Sequence, residues 1–301
     1  MIEEIPLVSG DGSATVRASI NPYAASVRQP IVDGVDLVQP YAPGIPPFSA
    51  GVVLVPWPNR VDGGRWMLDG TLQQLPINEP DLNNANHGLL STTEYAVVRH
   101  GPGSATFSAS IAAQAGYPFN LATSVTYSLT SNGITALHKV RNKSTQSAPV
   151  AVGAHPYLRV GDTPTADLIV TVPAATHLPL DSRHLPAGRS SVTGTAFDLR
   201  TGRRVGDAVI HASFADLKSA DDRIEHTLRG AAGDEVVLWA DAAFAYAQLY
   251  VTTQFPGADG ATTAIALEPM TAPPNALASG EGMRWVAPGE TWSLAWGIEY
   301  R

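Results

Sequence analysis

Four short stretches place acid–base and hydrogen-bonding side chains where apolar runs give way to turns. In Ala264-Ile265-Ala266-Leu267-Glu268-Pro269 a carboxylate closes an apolar strand, and partial desolvation there raises its pKa toward the range of a useful general base. In Gly153-Ala154-His155-Pro156-Tyr157 the proline forces an extended backbone at His155 and ends pairing, which presents an imidazole at a sheet rim beside Tyr157. Asn83-Asn84-Ala85-Asn86-His87-Gly88 is rich in turn formers, so His87 falls on a loop. Pro56-Trp57-Pro58-Asn59-Arg60 follows the apolar run Gly51 to Val55, and its prolines fix the directions of an indole, an amide and a guanidinium. A flat apolar face next to several donors suits a sugar ring, with its C–H face and its hydroxyls.

Each stretch also has a plainer reading. Trp57 could be buried in a proline-rich turn with Arg60 on the surface, and His87 could be a turn residue without a role. His155 could be satisfied by a backbone carbonyl, and Glu268 could emerge into solvent where Pro269 ends the strand. The other histidines read as ordinary. His138 shares a strand face with Ala136 and Val140, His177 and His184 fall in an irregular middle, and His100 and His226 adjoin turns or charges.

The elements that must position these residues are strands. From Asn120 to Thr130, Leu121, Thr123, Val125, Tyr127 and Leu129 alternate with polar or small residues, the period of a half-buried strand. Asn132-Gly133 predicts a type I′ turn and a returning strand from Ile134 to Arg141. The same alternation marks Ser104 to Ile111 and the C-terminal run Trp292, Leu294, Trp296, Ile298 and Tyr300. Asp167 to Val172, Glu235 to Trp239, Phe244 to Thr252 and Thr262 to Glu268 are further candidates. Pro179 to Ala208 lacks periodicity and reads as a long surface excursion. With no repeat, linker or composition shift, one domain over residues 1–301 is expected.

Composition removes several function classes. The chain has 19 Lys+Arg against 27 Asp+Glu, a net charge of −8, which leaves little to build a nucleic-acid-binding face. It has no cysteine, hence no thiol nucleophile, thiolate metal site or disulfide. There is no His-Glu-x-x-His, Gly-x-Ser-x-Gly, Gly-x-Gly-x-x-Gly or Walker-type sequence. The start, Met1-Ile2-Glu3-Glu4-Ile5-Pro6, lacks the basic and apolar regions of a secretory signal. Apolar runs such as Ala50 to Trp57 fall far short of the ~20 residues that cross a bilayer. A cytoplasmic protein without a membrane partner is expected.

Taken in order, the segments resemble the aldose 1-epimerase, or galactose mutarotase, family. The matching residues are Pro56-Trp57-Pro58-Asn59-Arg60 with Gly64-Arg65-Trp66, Asn86-His87-Gly88, Gly116-Tyr117-Pro118-Phe119, His155-Pro156-Tyr157, Ala247-Gln248-Leu249-Tyr250 and Glu268-Pro269-Met270-Thr271-Ala272-Pro273-Pro274. The resemblance implies an all-β fold, a large antiparallel β-sandwich with a sugar cleft on one face. It implies a monosaccharide substrate whose α and β anomers are interconverted without metal or cofactor. It also implies Glu268 as base and His155 as acid, with Arg60, His87, Asn59, Gln248 and Tyr157 around the sugar.

One segment departs from the family pattern. Where the family usually has a sugar-gripping aspartate, this chain reads Ile210-His211-Ala212-Ser213-Phe214, so His211 replaces an acceptor by a group that can donate. An altered substrate is the consequence expected, with Asp216 or Asp241 as the competing source of an acceptor. Two other functions fit the same fold: a hexose 6-phosphate 1-epimerase, needing arginines such as Arg28, Arg65 or Arg159 around the phosphate, and a catalytically silent carbohydrate-binding protein.

Overall fold

The computed structural model describes residues 3–9, 15–209 and 211–301; Met1 and Ile2 of the acidic start, and Ile210 beside His211, lie outside them. The alternating segments become strands. In Leu121–Leu129 the residues Leu121, Thr123, Val125 and Tyr127 are buried and the intervening ones half-exposed, as their period of two requires. Ser104–Ile111 and Thr291–Tyr300 are likewise strands.

The Asn132-Gly133 hairpin forms without the expected type I′ turn. Neither residue has a positive φ, and the chain closes through Thr130 N–H donating to Gly133 O at 2.9 Å. Glycine is required at 133 for another reason: a Cβ there would meet Ile298 O at 1.9 Å, because Gly133–Asn142 pairs closely with the C-terminal strand.

Among the described residues the strands form two large antiparallel sheets. A nine-stranded sheet runs, in spatial order, Ala96–Gly101, Ser104–Ile111, Leu121–Leu129, Gly133–Asn142, Thr291–Tyr300, Glu235–Asp241, Arg223–Arg229, Ile169–Thr171 and Arg203–Arg204. The other runs Ser190–Ser191, Ala174–Leu178, His211–Leu217, Tyr246–Gly257, Gly260–Met270, Gly153–Ala154 and Val53–Leu54, with Tyr157–Leu158 also paired to Gly260–Met270. Phe107, Tyr127, Leu238 and Trp296 from the first sheet and Phe214, Leu249, Ile265 and Leu267 from the second belong to one continuous core. The architecture is therefore a β-sandwich, its apolar faces turned inward.

Two sequence expectations resolve here in favour of the core. His138 is fully buried, and its Nε2 accepts a hydrogen bond from Trp296 Nε1 at 2.8 Å. Trp57, expected to offer its indole to a ligand, is 2% exposed and packs against Tyr117 with ring centroids 6.2 Å apart. The prolines around it turn the chain so that Asn59 and Arg60, and not the indole, point outward from the core.

The stretch from Pro179 to Ala208 is more than a surface excursion. Ser190–Ser191 pairs onto the edge of one sheet and Arg203–Arg204 onto the edge of the other, while Val192, Leu199 and Val205 are buried in the shared core. Among the described residues no helix is long and apolar enough to cross a membrane.

Candidate active site

The outer face of the second sheet carries the polar residues, because period two sends Leu267, Leu249 and Phe214 into the core and their neighbours the other way. Glu268 is paired across the sheet with Gln248, and Gln248 with Ser213, so these three form one row. Ala266, Tyr250 and His211 form the next row along. The Gly260–Met270 strand runs through Pro269, which pairs with Ala247, so Glu268 lies within the sheet and not at its exit as expected from the proline. That placement explains why the carboxyl is only 2% exposed.

His155 reaches the same floor from the gap between Gly153–Ala154 and Tyr157–Leu158, the interruption predicted from Pro156. Its backbone is held by its own N–H to Val52 O at 3.1 Å and by Gly51 N–H donating to its carbonyl at 2.8 Å. Its ring stacks on Tyr157, centroids 5.3 Å apart, and Nε2 lies 3.3 Å from Glu268 Oε1. His155 Nδ1 and Glu268 Oε2 are buried without protein partners.

Asn59 and His87 both have positive φ, 57° and 62°, and His87 N–H donates to Asn59 O at 2.9 Å. Holding two non-glycine residues in the left-handed region costs of order 1 kcal/mol each, which the surrounding loop contacts must offset. Gly88 is needed beside them, since a Cβ would meet Val55 O at 2.2 Å. The His87 ring meets His155 edge-on at 5.3 Å. Asn59 Nδ2 donates to Gln248 Oε1 at 3.4 Å, so Gln248 backs the site through Asn59.

Arg60, in the strand Arg60–Asp62, is clamped by Glu79: Nε donates to Oε2 at 2.8 Å and Nη2 to Oε1 at 2.7 Å. Burial pushes the Glu79 carboxyl up, but the Arg60 bonds and charge, with Asn84, outweigh it and hold it below its usual range. Replacing Glu79 by glutamine loses the bidentate, charge-assisted grip. The expected result is a rise in KM of about tenfold, one such bond's worth, with a smaller change in kcat. A variant that only melts earlier, with KM unmoved, would mean that Glu79 is structural.

These residues enclose an open cleft of about 250 Å³, lined by Asn59, Arg60, Asn86, His87, His155, Tyr157, His184, His211, Tyr250 and Glu268, with Phe48 and Ser49 at its rim. Of the residues expected from sequence to meet the sugar, Gln248 stands behind the wall and Trp57 lies in the core. Asp216 instead pairs with Arg189, and Asp241 accepts from Ala295 N–H in the other sheet, so neither lines this cleft. His184, which reads as ordinary in the sequence, lines the cleft, and Glu79 carries no motif; both sit on loops without periodicity. Among the described residues no group of three His, Asp or Glu side chains is placed to hold a metal ion.

Burial moves the two central groups in opposite directions. It raises the Glu268 pKa to about 8, against the lowering pull of Arg60, and lowers that of His155 to about 4. At neutral pH the pair thus holds one proton, resting on the carboxyl, and both groups are uncharged. Because the folded value for Glu268 lies above the usual 4.5, its contribution to stability is full below pH 4.5 and is lost as pH rises through 8. The Glu268→Gln protein, neutral and of similar shape, is therefore expected to melt about 2–4 °C or more above wild type at pH 9, with no gain at pH 4. Differential scanning calorimetry at the two pH values checks this.

Comparison with known proteins bears on what such a cleft does. The sequence profile of the aldose 1-epimerase family matches residues 11–299. YihR of Escherichia coli (strain K12) is 30% identical over 299 residues, covering 98% of this chain and 92% of its own. Galactose mutarotase of Rattus norvegicus is 33% identical over 160 residues, 49% of this chain and 44% of its own. Among solved structures, a GalM/aldose epimerase homologue from C. elegans superposes with a TM-score of 0.83 at 19% identity, covering 100% of this chain and 99% of its own. Galactose 1-epimerase from Lactobacillus acidophilus NCFM gives 0.79 at 18%, with the same coverage. At these identities the structural likeness speaks for the fold.

Proposed function

The chain belongs to the aldose 1-epimerase family, and from that premise we propose that it interconverts the α and β anomers of an aldose by opening and reclosing the ring. The observation that carries the reading is the buried Glu268–His155 pair, 3.3 Å apart on the floor of a cleft of sugar-ring dimensions. Ring opening needs a base to take the proton of the C1 hydroxyl and an acid to protonate the ring oxygen as the C1–oxygen bond breaks. Glu268 is the base and His155 the acid. Rotation about C1–C2 and reclosure, with both protons returning, give the other anomer.

The pair's proton count suits this cycle. Before reaction the proton rests on Glu268, and its passage across the 3.3 Å contact to His155 Nε2 gives carboxylate and imidazolium, ready for the cyclic sugar. Ring opening then returns the pair to its uncharged form, which burial favours, so the pocket stabilises the step that breaks the ring. Arg60, His87 and Asn59 donate to sugar oxygens, and Tyr157 holds the His155 ring by stacking.

The arginines that a hexose 6-phosphate epimerase would gather are engaged elsewhere. Arg28 bonds Glu4 and the carbonyl of Tyr41, Arg65 bonds Gln74, and Arg159 pairs with Asp162. A silent binding protein would gain nothing from burying a carboxyl that weakens the fold at high pH. The test is anomer exchange followed by two-dimensional exchange NMR on a panel of aldoses. The expected rate rises in proportion to protein concentration for at least one sugar; no acceleration with any would refute the reading.

A further inference from the structure

The side of the cleft away from Glu268 is built from two histidines. His211 opens the His211–Leu217 strand, two strands over and two residues along from Glu268, which separates their backbones by roughly 12 Å at standard strand spacing and rise. Its ring meets His184 edge-on, centroids 4.4 Å apart, and Tyr250 at 5.5 Å. His184 Nδ1 is buried without a partner. Among the described residues no free carboxylate lines this side: Glu268 is the only one in the cleft wall, and nearby Glu79 is clamped by Arg60.

His184 is held there deliberately by its surroundings. It takes a positive φ of 61° in a turn where Asp181 Oδ1 accepts from Arg183 N–H at 2.8 Å and Leu185 N–H at 2.9 Å. Arg183 then staples the turn to the opposite loop, donating to Leu82 O and Asn83 O at 2.9 Å each and pairing with Asp62 at 2.7 Å. Asn84 Nδ2 donates to Arg183 O at 3.0 Å. A residue held at positive φ by this many contacts, its ring against a second imidazole and its Nδ1 without a partner, is built to meet a ligand.

We propose that His184 and His211 form a subsite for a singly charged oxyanion, a carboxylate or sulfonate, carried by the aldose on the carbon farthest from C1. The proposal rests on the epimerase reading of the same cleft and names its substrate class. Two imidazoles about a sugar's length from the acid–base pair can each donate to one oxygen of such a group. A dianionic phosphate would call for more fixed charge than this side provides, since Arg60 is already paired.

Burial lowers both histidines: His211 falls to about 3, with His184 and Arg60 adding to the effect, and His184 is lowered by burial and Arg60 against the opposing pull of Glu79 and Asp181. The groups facing His211 are His184 and Tyr250, with Arg60 and His155 within electrostatic reach; those facing His184 are His211, Glu79, Asp181 and Arg60. An anion set between the rings favours their protonated forms, so its binding takes up a proton and weakens as pH rises.

The test compares glucuronate and 6-deoxy-6-sulfoglucose with glucose, galactose and glucose 6-phosphate in anomer-exchange NMR. At least one singly charged sugar should exceed the neutral ones and the phosphate at least tenfold in kcat/KM. His184→Asn and His211→Asp should each reduce that preference at least tenfold, the latter toward glucose or galactose. Preference for a neutral sugar or for glucose 6-phosphate, or a ratio that survives both substitutions, overturns the subsite. Calorimetric titration of the Glu268→Gln protein with the same sugars at pH 6 and 8 separates the two levels. Acidic sugars that bind, more tightly at pH 6, while wild type accelerates no exchange would leave the subsite standing and remove the epimerase. Rapid exchange of neutral sugars with no acidic sugar bound would do the reverse.

Discussion

Glutamine in place of Glu268 is expected to cut kcat for anomer exchange by about 10²- to 10⁴-fold, the usual loss when a general base is removed. The amide keeps the size of the carboxyl and its place beside Gln248, so the sheet is undisturbed and most sugar affinity remains. What disappears is the ability to accept the C1 hydroxyl proton. The same substitution removes a buried ionisable group, so lost activity should accompany gained stability at alkaline pH. A variant that turns over at near-normal rate removes Glu268 from the chemistry; one that loses activity by melting early has lost its fold. Exchange NMR and calorimetry on one preparation separate these results.

The second large loss is expected for His155→Asn, again about 10²- to 10⁴-fold in kcat. Asparagine can still donate toward the ring oxygen, but it cannot release a proton to it. It also leaves Glu268 without the partner 3.3 Å away, so the carboxyl retains its proton over the whole range in which wild type works. Because His155 acts on the reacting atoms, the loss should fall on kcat with KM changed little. An effect confined to KM would make His155 a binding residue only.

The strands were legible because one face of each is buried and the sequence alternates to match, as Leu121, Thr123, Val125 and Tyr127 do. Turn and break residues are less legible. Asn132-Gly133 marked the right hairpin and the wrong turn, since Gly133 is demanded by a neighbouring strand. Pro269 reads as a strand end, yet the strand passes through it. Trp57 suits a ligand's face by type, but its size and apolar surface serve the core.

In the site, Glu268, His155, His87 and Arg60 stood out through short motifs in a fixed order, whereas their meeting in space depends on pairings between distant strands that no local pattern encodes. Gln248 and Asn59, 189 positions apart, are joined only by such pairing. His184 and Glu79 carried no signal at all. Their roles arise from the turn that Arg183 staples across the cleft and from the clamp on Arg60, contacts between loops whose sequences have no period to read.

The central claim is that one proton shared by a buried carboxyl and a buried imidazole performs the exchange, and the pH dependence of kcat/KM tests it most directly because it reports the free protein's groups. With His155 pushed down to about 4 and Glu268 up to about 8, the rate should hold level between those values. It should fall below about pH 4, as the pair gains a second proton, and above about pH 8, as it loses its only one. A rate that stays flat through pH 9.5, or that falls on the acid side near 6.5 as for an ordinary exposed histidine, would contradict the account.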